Sequence, residues 1–470
     1  MSTGERLVIV GGGMAAARLV ELLLARDHTG TITVLSDEQY PPYNRILLSA
    51  VLDGTHRIES LPLHGAAWYA DRGVDLRLGV RVVGLDRERR EVQVADGDPV
   101  PYDRLVLATG LVPTLPPMRG LLDAEGRLDD RVHAFRDLDD CRRLLDAVPH
   151  ARRAAVVGGG LLGLQVARGL AARGVEVEIV EGADHLMRHQ LDAAAGRILV
   201  RDLRRLGTEV YCNARAVRLT DEGVVLDNGY LLEVDLVVIT AGGRPSVALA
   251  RAAGLAVGRG VVVDDRLTTD DPRIHALGDC AEHDGRTPGF VSPAWEQAEV
   301  LADVLCGVAA ARYEGSRIVA RLRARDLEVA VLGDPEHTEG ERVEVSNPLT
   351  RSHRTLVMRE GRIVAAALVG DLSRVGLITQ HFDRGTRLAP QEAGLLLLGD
   401  PAPAADLAAA LGDSAEVCAC AGVSAGEIRA CASLDDVVRC TRATTGCGGC
   451  APTVRQLLAG RALEGKGVTR

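Results

Sequence analysis

Six of the chain's ten cysteines fall within VCACAGVSAGEIRACASLDDVVRCTRATTGCGGC, Val417 to Cys450. Cys418 and Cys420 make one close pair, Cys-x-Cys, and Cys447 and Cys450 make a second, Cys-Gly-Gly-Cys. Two such pairs brought together form a four-thiolate site, and thiolate tetrads hold either zinc or an iron–sulfur cluster. Gly448 and Gly449 keep the second turn open, so that both sulfurs can face one metal. Spacing alone leaves zinc and iron equally open. The stretch between the pairs, Ser424 to Ala443, carries two short helical patterns that would bring them together. Cys431 and Cys440 fall at helix positions and read as packing residues rather than ligands.

A different chemistry is written at the other end of the chain. LVIVGGGMAAARLVELLLA (Leu7 to Ala25) is an apolar strand, a glycine turn and a helical pattern, with G-x-G-x-x-A on Gly11, Gly13 and Ala16. The first glycine makes the turn, the second lets a pyrophosphate approach the backbone, and the small third residue lets helix and strand pack closely. The phosphate charge then meets the amides of a helix N-terminus. A second strand, TITVLS, leads to Asp37 and Glu38, carboxylates able to accept hydrogen bonds from ribose hydroxyls. The pattern returns at Ala154 to Glu181, with Gly158, Gly160 and Gly163, a helix, and a strand closing on Glu181. An acid in that place favours a ribose 2′-hydroxyl over a 2′-phosphate, hence NADH over NADPH, and the nearby Arg188 tempers the preference. One such turn is weak evidence; two in one chain are far more specific.

The elements that must position these groups need several domains, which 470 residues allow. Composition is that of an ordinary globular chain, 47% hydrophobic and 26% charged, with 52 glycines. A net charge of −10 makes nucleic acid an unexpected partner. No apolar run of about 18 residues suggests a membrane span, and no secretion signal is visible, so a cytoplasmic protein is expected. Reduced thiols in that compartment turn the clustered cysteines toward metal or redox chemistry.

The two fingerprints are accompanied by LVLATG, ending at Thr109 and Gly110, and RIHALGDCA, with Gly278 and Asp279. Together they resemble the two-dinucleotide-binding flavoproteins. That resemblance implies an FAD-binding fold with an NADH-binding fold inserted in it, Asp279 near the ribityl chain, and Thr109 and Gly110 bordering the flavin. YPPYNRILLSAVL (Tyr40 to Leu52) is similar to the Tyr-x-Arg…Leu-Ser element of ferredoxin-reductase-like members, matched here by Tyr43, Arg45, Leu48 and Ser49. Arg45 would then neutralise the flavin pyrophosphate. Many relatives carry lysine after the serine, where this chain has Ala50. VVGGGLLGL, HLMRHQLD (His185 to Asp192) and GDCAEHDGRTPGFVSPAWEQA resemble NADH-dependent nitrite reductase large subunits and electron-transfer subunits of assimilatory nitrate reductases. The cysteine module resembles the bacterioferritin-associated-ferredoxin-like domain, which implies a [2Fe–2S] cluster on Cys418, Cys420, Cys447 and Cys450.

The expected fold class is therefore α/β. It comprises two Rossmann-like domains (FAD on 1–112 and 246–312, NADH on the inserted 113–245), a small α+β interface domain on 313–399, a linker on 400–416, and a small helical [2Fe–2S] domain on 417–470. Cys141, Cys212, Cys280 and Cys306 are solitary and read as buried hydrophobes, with no redox-active pair beside the flavin. The resemblance implies an NADH-oxidising oxidoreductase whose electrons pass from NADH to FAD to [2Fe–2S]. The expected acceptor is a separate protein, the molybdenum catalytic subunit of assimilatory nitrate reductase. No cysteine pair follows Cys450, so siroheme chemistry on this polypeptide is not expected. Alternatives are a ferredoxin or rubredoxin reductase, the reductase half of a split nitrite reductase, and, from another class, a zinc-stabilised NADH-sensing interaction protein. No protein acid or base is required, since the cofactors carry hydride and electron transfer. Oligomeric state stays open.

Overall fold

The computed structural model describes residues 4–324, 326–398, 411–418, 421–444 and 450–464. The chain divides into two compact units, 1–150 with 237–318, and 151–236 with 319–470.

In the first unit the apolar run RLVIV forms β1 (Arg6–Val10), almost wholly buried as the central strand of a parallel sheet must be. It is followed by α1 (Met14–Ala25), β2 (Thr31–Leu35), β3 (Val74–Arg77) and β4 (Arg104–Leu107). With the strand Ile274–Ala276 they make a five-stranded sheet in which Ile274–Ala276, β4, β1, β2 and β3 lie side by side, all parallel. This is the doubly wound arrangement whose ligands bind beyond the carboxyl ends of the strands. After β4 the chain leaves through Leu111–Pro113 and returns through Gly243–Pro245, and the two segments pair antiparallel. The helix α2 (Leu138–Ala147) opens with a reciprocal cap in which Asp137 and Asp140 each bind the other's backbone amide.

The second unit repeats the motif with β5 (Arg153–Val157), α3 (Leu161–Ala172) and β6 (Glu176–Glu181), continued by α4 (Ala193–Arg205) and β7 (Glu209–Cys212). Strands β5, β6 and β7 are parallel neighbours. The expected run of alternating strands appears as β8 (Val319–Ala324), β9 (Leu327–Leu332), β10 (Glu341–Asn347), β11 (Ser352–Arg359) and β12 (Arg362–Val369). They form one antiparallel sheet in the order β8-β9-β12-β11-β10. Glu360 and Gly361 link β11 to β12 with φ of 51° and 75°, the left-handed pair that a two-residue hairpin turn needs. Helices α5 (Val375–Arg384) and α6 (Pro390–Leu398) cover this sheet with a core of Leu356, Ile363, Ile378 and Phe382.

The last module has the two short helices read from the sequence, α7 (Ala425–Ala430) and α8 (Leu434–Thr441), and a third, α9 (Ala451–Glu464). Ser424 and Glu427 form a capping box on α7, and the Ser433 side chain caps α8. The expected linker is described only from Leu411 onward. There it is tied to the module: Ala425 N donates to Ala415 O at 2.8 Å and Gly426 N to Asp413 O at 2.9 Å. Residues 400–410 lie outside the described residues. Among the described residues no helix is long and apolar enough to cross a membrane.

Candidate functional site: two glycine turns and a cysteine module

The first turn is built by the register of β1 against β2. Gly11 N donates to Leu35 O at 2.8 Å, and Gly11 sits at φ +112°, where a Cβ would stand 2.3 Å from Ala108 O. Only glycine fits there. Gly13 is the N-cap of α1, extended, with no side-chain cap, and a Cβ at Gly13 would meet nothing within 4 Å. Ala16 is fully buried in the helix. The result is an uncapped helix N-terminus opening on vacant room beyond a parallel sheet, which suits a pyrophosphate.

Around that turn the other expected residues fall as follows. Asp37 is exposed just beyond β2. Glu38 is engaged: it pairs with Arg45 and accepts from the Tyr43 hydroxyl at 2.7 Å. That hydroxyl in turn accepts from Leu138 N, the first amide of α2, at 2.9 Å. Burial drives the Tyr43 pKa far up, so the hydroxyl remains a donor. The Arg45 guanidinium lies 5.2 Å from the Tyr43 ring centroid. Thr109 Oγ1 donates to Ser246 O at 2.8 Å, and Gly110 O accepts from Ser246 N at 2.8 Å. Asp279 is held 3.1 Å from Arg136, a partner the sequence did not indicate. Gly278 N donates to Gln297 Oε1 at 2.7 Å. The helix Val291–Leu305 that carries Gln297 packs against both α1 and the 278–280 turn. On it Trp295 Nε1 is buried with no hydrogen-bond partner among the described residues, a donor left for a bound group. These features fit FAD.

The second turn is the same device with a different closure. Gly158, at φ +119°, donates its N–H to Val180 O at 2.9 Å. Gly160 is the extended, uncapped N-cap of α3, and a Cβ there would again meet nothing within 4 Å. Gly163 is buried in α3. Glu181 bridges the turn: Gly159 N donates to its Oε2 at 2.7 Å and Ala183 N to its Oε1 at 2.8 Å. The segment His185–Asp192, for which the sequence suggests no mechanism, folds onto this turn. Met187 N donates to Gly159 O at 2.9 Å, and Leu186 lies so close that a Cβ on Gly159 would be 2.4 Å from its Cδ2. His185 bonds Asp184 and Leu191 O through its two ring nitrogens. Arg188 is exposed. The turn fits NADH.

In the cysteine module Cys418 and Cys450 are buried together in a small apolar core with Val423, Ile428, Val437 and Val454. Cys420 and Cys447 lie outside the described residues. Two buried thiols in one core, each one partner of a close pair, fit a four-thiolate cluster. Cys431 is buried and its thiol donates to Glu427 O at 3.3 Å. Cys440, expected to pack, is exposed, because it stands on the Asp436 side of α8 while Val437 turns into the core. Of the four solitary cysteines, Cys141 and Cys280 are fully buried, and burial pushes the Cys280 thiol up. Cys212 is only half-buried and Cys306 is exposed. These two correct the expectation of four buried hydrophobes: Cys306 is the C-cap of its helix and Cys212 ends β7.

Residues 5–298 match the pyridine nucleotide-disulphide oxidoreductase family, and residues 416–460 match the BFD-like [2Fe–2S] binding domain. The cofactors of these two parts are FAD, NADH and a [2Fe–2S] cluster. The chain is 37% identical over 97% of its length to a nitrite reductase [NAD(P)H] of Bacillus subtilis, covering 57% of that protein. It is 31% identical, again over 97% of its length, to the assimilatory nitrate reductase electron transfer subunit of the same organism, covering 59% of it. The chain thus spans little more than half the length of these curated relatives. A crystal structure of a ferredoxin reductase from Rhodopseudomonas palustris matches with a TM-score of 0.76 at 27% identity, over 83% of this chain and 97% of that one.

Proposed function

We propose that this chain, which belongs to the pyridine nucleotide-disulphide oxidoreductase family, takes electrons from NADH and delivers them singly to a separate acceptor protein. NADH gives a hydride, flavin accepts both electrons, and a [2Fe–2S] centre takes one at a time; that is the chemistry the cofactors supply. The chain's own residues bind and orient. Gly11, Gly13, Ala16, Asp37, Glu38, Arg45, Thr109, Gly110 and Asp279 are assigned to FAD. Gly158, Gly160, Gly163 and Glu181 are assigned to NADH, and Cys418, Cys420, Cys447 and Cys450 to the cluster. The proposed domains are 1–112 with 246–312 for FAD, 113–245 for NADH, 313–399 as interface, and 417–470 for the cluster.

One observation carries the reading: two uncapped glycine turns and a cysteine module occur in a single chain. A thiolate site that held zinc would give the electrons no outlet, and this disfavours the zinc-stabilised sensor. Similarity to an assimilatory nitrate reductase electron transfer subunit along 97% of this chain supports a molybdenum-containing nitrate reductase catalytic subunit as the acceptor. A second reading, the reductase half of a split nitrite reductase, is favoured by the 37% identity to a nitrite reductase. Anaerobic titration of the purified holoprotein with NADH, followed optically and by EPR, tests the proposal. Bleaching of the flavin with appearance of a reduced-cluster signal is expected. A protein without iron, or one whose cluster stays oxidised while the flavin is reduced, would overturn it. Comparing delivery to the two acceptors separates the two readings.

A further inference from the structure

His353 on β11 occupies an unusual position. Its side chain is 0% exposed. Nε2 lies 3.0 Å from Asp192 Oδ2 and 3.0 Å from Thr355 Oγ1. Asp192 is the N-cap of α4, and its other oxygen accepts from Ala195 N at 2.8 Å. A carboxylate only accepts, so the Asp192 contact places the ring proton on Nε2. In the neutral ring Nδ1 then carries the lone pair, and it has no hydrogen-bond partner among the described residues. Facing it at 3.8 Å is Oε1 of Glu344, whose side chain is 49% exposed.

The facing arrangement follows from strand register. Glu344 of β10 pairs with Thr355 of β11 and Ser346 pairs with His353, so all four side chains share one face of the sheet. α4 packs on that face and brings Asp192 to the ring's other nitrogen. The ligand-capable atoms of Asp192, Glu344 and His353 all lie within 4.8 Å of one another.

The buried, unpartnered Nδ1 and the half-exposed Glu344 carboxylate face each other as two ligands of one cation would. At 3.8 Å the two atoms are beyond direct hydrogen-bond reach, about 2.7–3.2 Å for N–H···O. Two metal–ligand bonds of about 2.1 Å span that gap.

We propose that Glu344 and His353 Nδ1 bind a borderline divalent cation of the Zn²⁺ type, with Asp192 holding the imidazole from behind. Imidazole with carboxylate suits such ions better than Mg²⁺ or Ca²⁺, and a carboxylate on the far nitrogen is the usual support of a metal-bound histidine. The half-exposed Glu344 gives solvent access, and water completes the coordination. A cation there ties the N-terminus of α4, and with it the segment that folds onto Gly159, to the antiparallel sheet.

The test is equilibrium dialysis of the full holoprotein against Zn²⁺ alone, with zinc and iron counted on the same sample. One zinc per chain is expected in addition to unchanged iron. Zinc affinity should fall at least tenfold in Glu344→Gln and about 10- to 100-fold in Asp192→Asn, and stay level in Glu341→Gln on the same strand. His353→Gln should abolish uptake; if that variant does not fold, Glu344→Gln decides, since its side chain is half in water. Absence of zinc uptake by the native protein overturns the proposal. So does uptake that Glu344→Gln leaves unaltered, which would place the zinc elsewhere, as on the cluster cysteines.

Discussion

Replacing Gly160 by alanine separates binding from folding at the second turn. Three consecutive glycines stand there, and they are not equivalent. Gly158 has φ +119°, so a side chain there costs about 1–3 kcal/mol of backbone strain. At Gly159 a Cβ would be 2.4 Å from Leu186 Cδ2, and the neighbouring side chain would have to move. Gly160 has φ −80° and ψ −177°, backbone that any residue adopts, and a Cβ there touches nothing within 4 Å. Alanine lowers the entropy of the unfolded chain, a gain of about 0.4–1 kcal/mol. It is a poorer N-cap than glycine, a loss of similar size. The two offset, and stability is expected to change by no more than about 0.5 kcal/mol. Binding is another matter, because the added methyl occupies the room a pyrophosphate would use. Losing one charged hydrogen bond costs about 1.5–3 kcal/mol, which is roughly 10- to 100-fold in affinity. The assay is the NADH concentration dependence of anaerobic flavin reduction in a stopped-flow instrument, with FAD content and thermal unfolding as controls. A variant with normal FAD and normal unfolding that binds NADH within twofold of the native protein would refute the placement of NADH on this turn.

Glu181→Gln keeps the shape of the side chain and removes its charge. The ratio of kcat/KM for NADH over NADPH is expected to fall about tenfold as repulsion of a 2′-phosphate disappears, and an unchanged ratio would count against the role of Glu181. Cys447→Ser should retain FAD and NADH-driven reduction of small dyes while losing delivery to the protein acceptor; full delivery would sink the cluster assignment. Burial, reinforced by Arg104, pushes the His275 imidazole down to about 4, below its unfolded value of about 6.5. The stability this represents is complete above pH 6.5 and is lost as pH falls toward 4, about 3 kcal/mol in all. Denaturation midpoints measured across that window should fall more steeply in the native protein than in His275→Asn, and parallel curves would show that His275 does not titrate this way.

The glycine turns were legible in the sequence because their requirements are local. A positive φ, or a carbonyl 2.3 Å from a would-be Cβ as at Gly11, demands glycine whatever lies elsewhere in the chain. The helices of the cysteine module were legible for the same reason, since Ser424 with Glu427 and Ser433 with Asp436 cap within one turn. What the sequence concealed depends on pairing between distant segments. Arg136 meets Asp279 across 143 positions, and His353 meets Asp192 across 161. The exposure of Cys306 and Cys440 follows from where a helix ends and which way a face turns, and neither is fixed by a cysteine's apolar character.

Strand register also changes how the two copies of the turn compare. Leu35 O receives the Gly11 amide and Val180 O the Gly158 amide. The residue after Leu35 is Ser36, and the residue after Val180 is Glu181, so these two hold equivalent places. A Cβ on Gly12 would lie 2.5 Å from Ser36 Oγ, and one on Gly159 would lie 3.0 Å from Glu181 Oε2. Asp37 and Glu38 come one and two residues later, and the charge of Glu38 is answered by Arg45. A neutral hydroxyl therefore stands beside the first turn, whereas the second is closed by a carboxylate, fixed by two amides with lone pairs to spare. Under the proposed assignment this difference has a physical basis. FAD stays bound through every turnover and never has to be told from a phosphorylated twin. NADH is exchanged each cycle in the presence of NADPH, so only the second turn needs an anion that repels the wrong ligand as well as binding the right one.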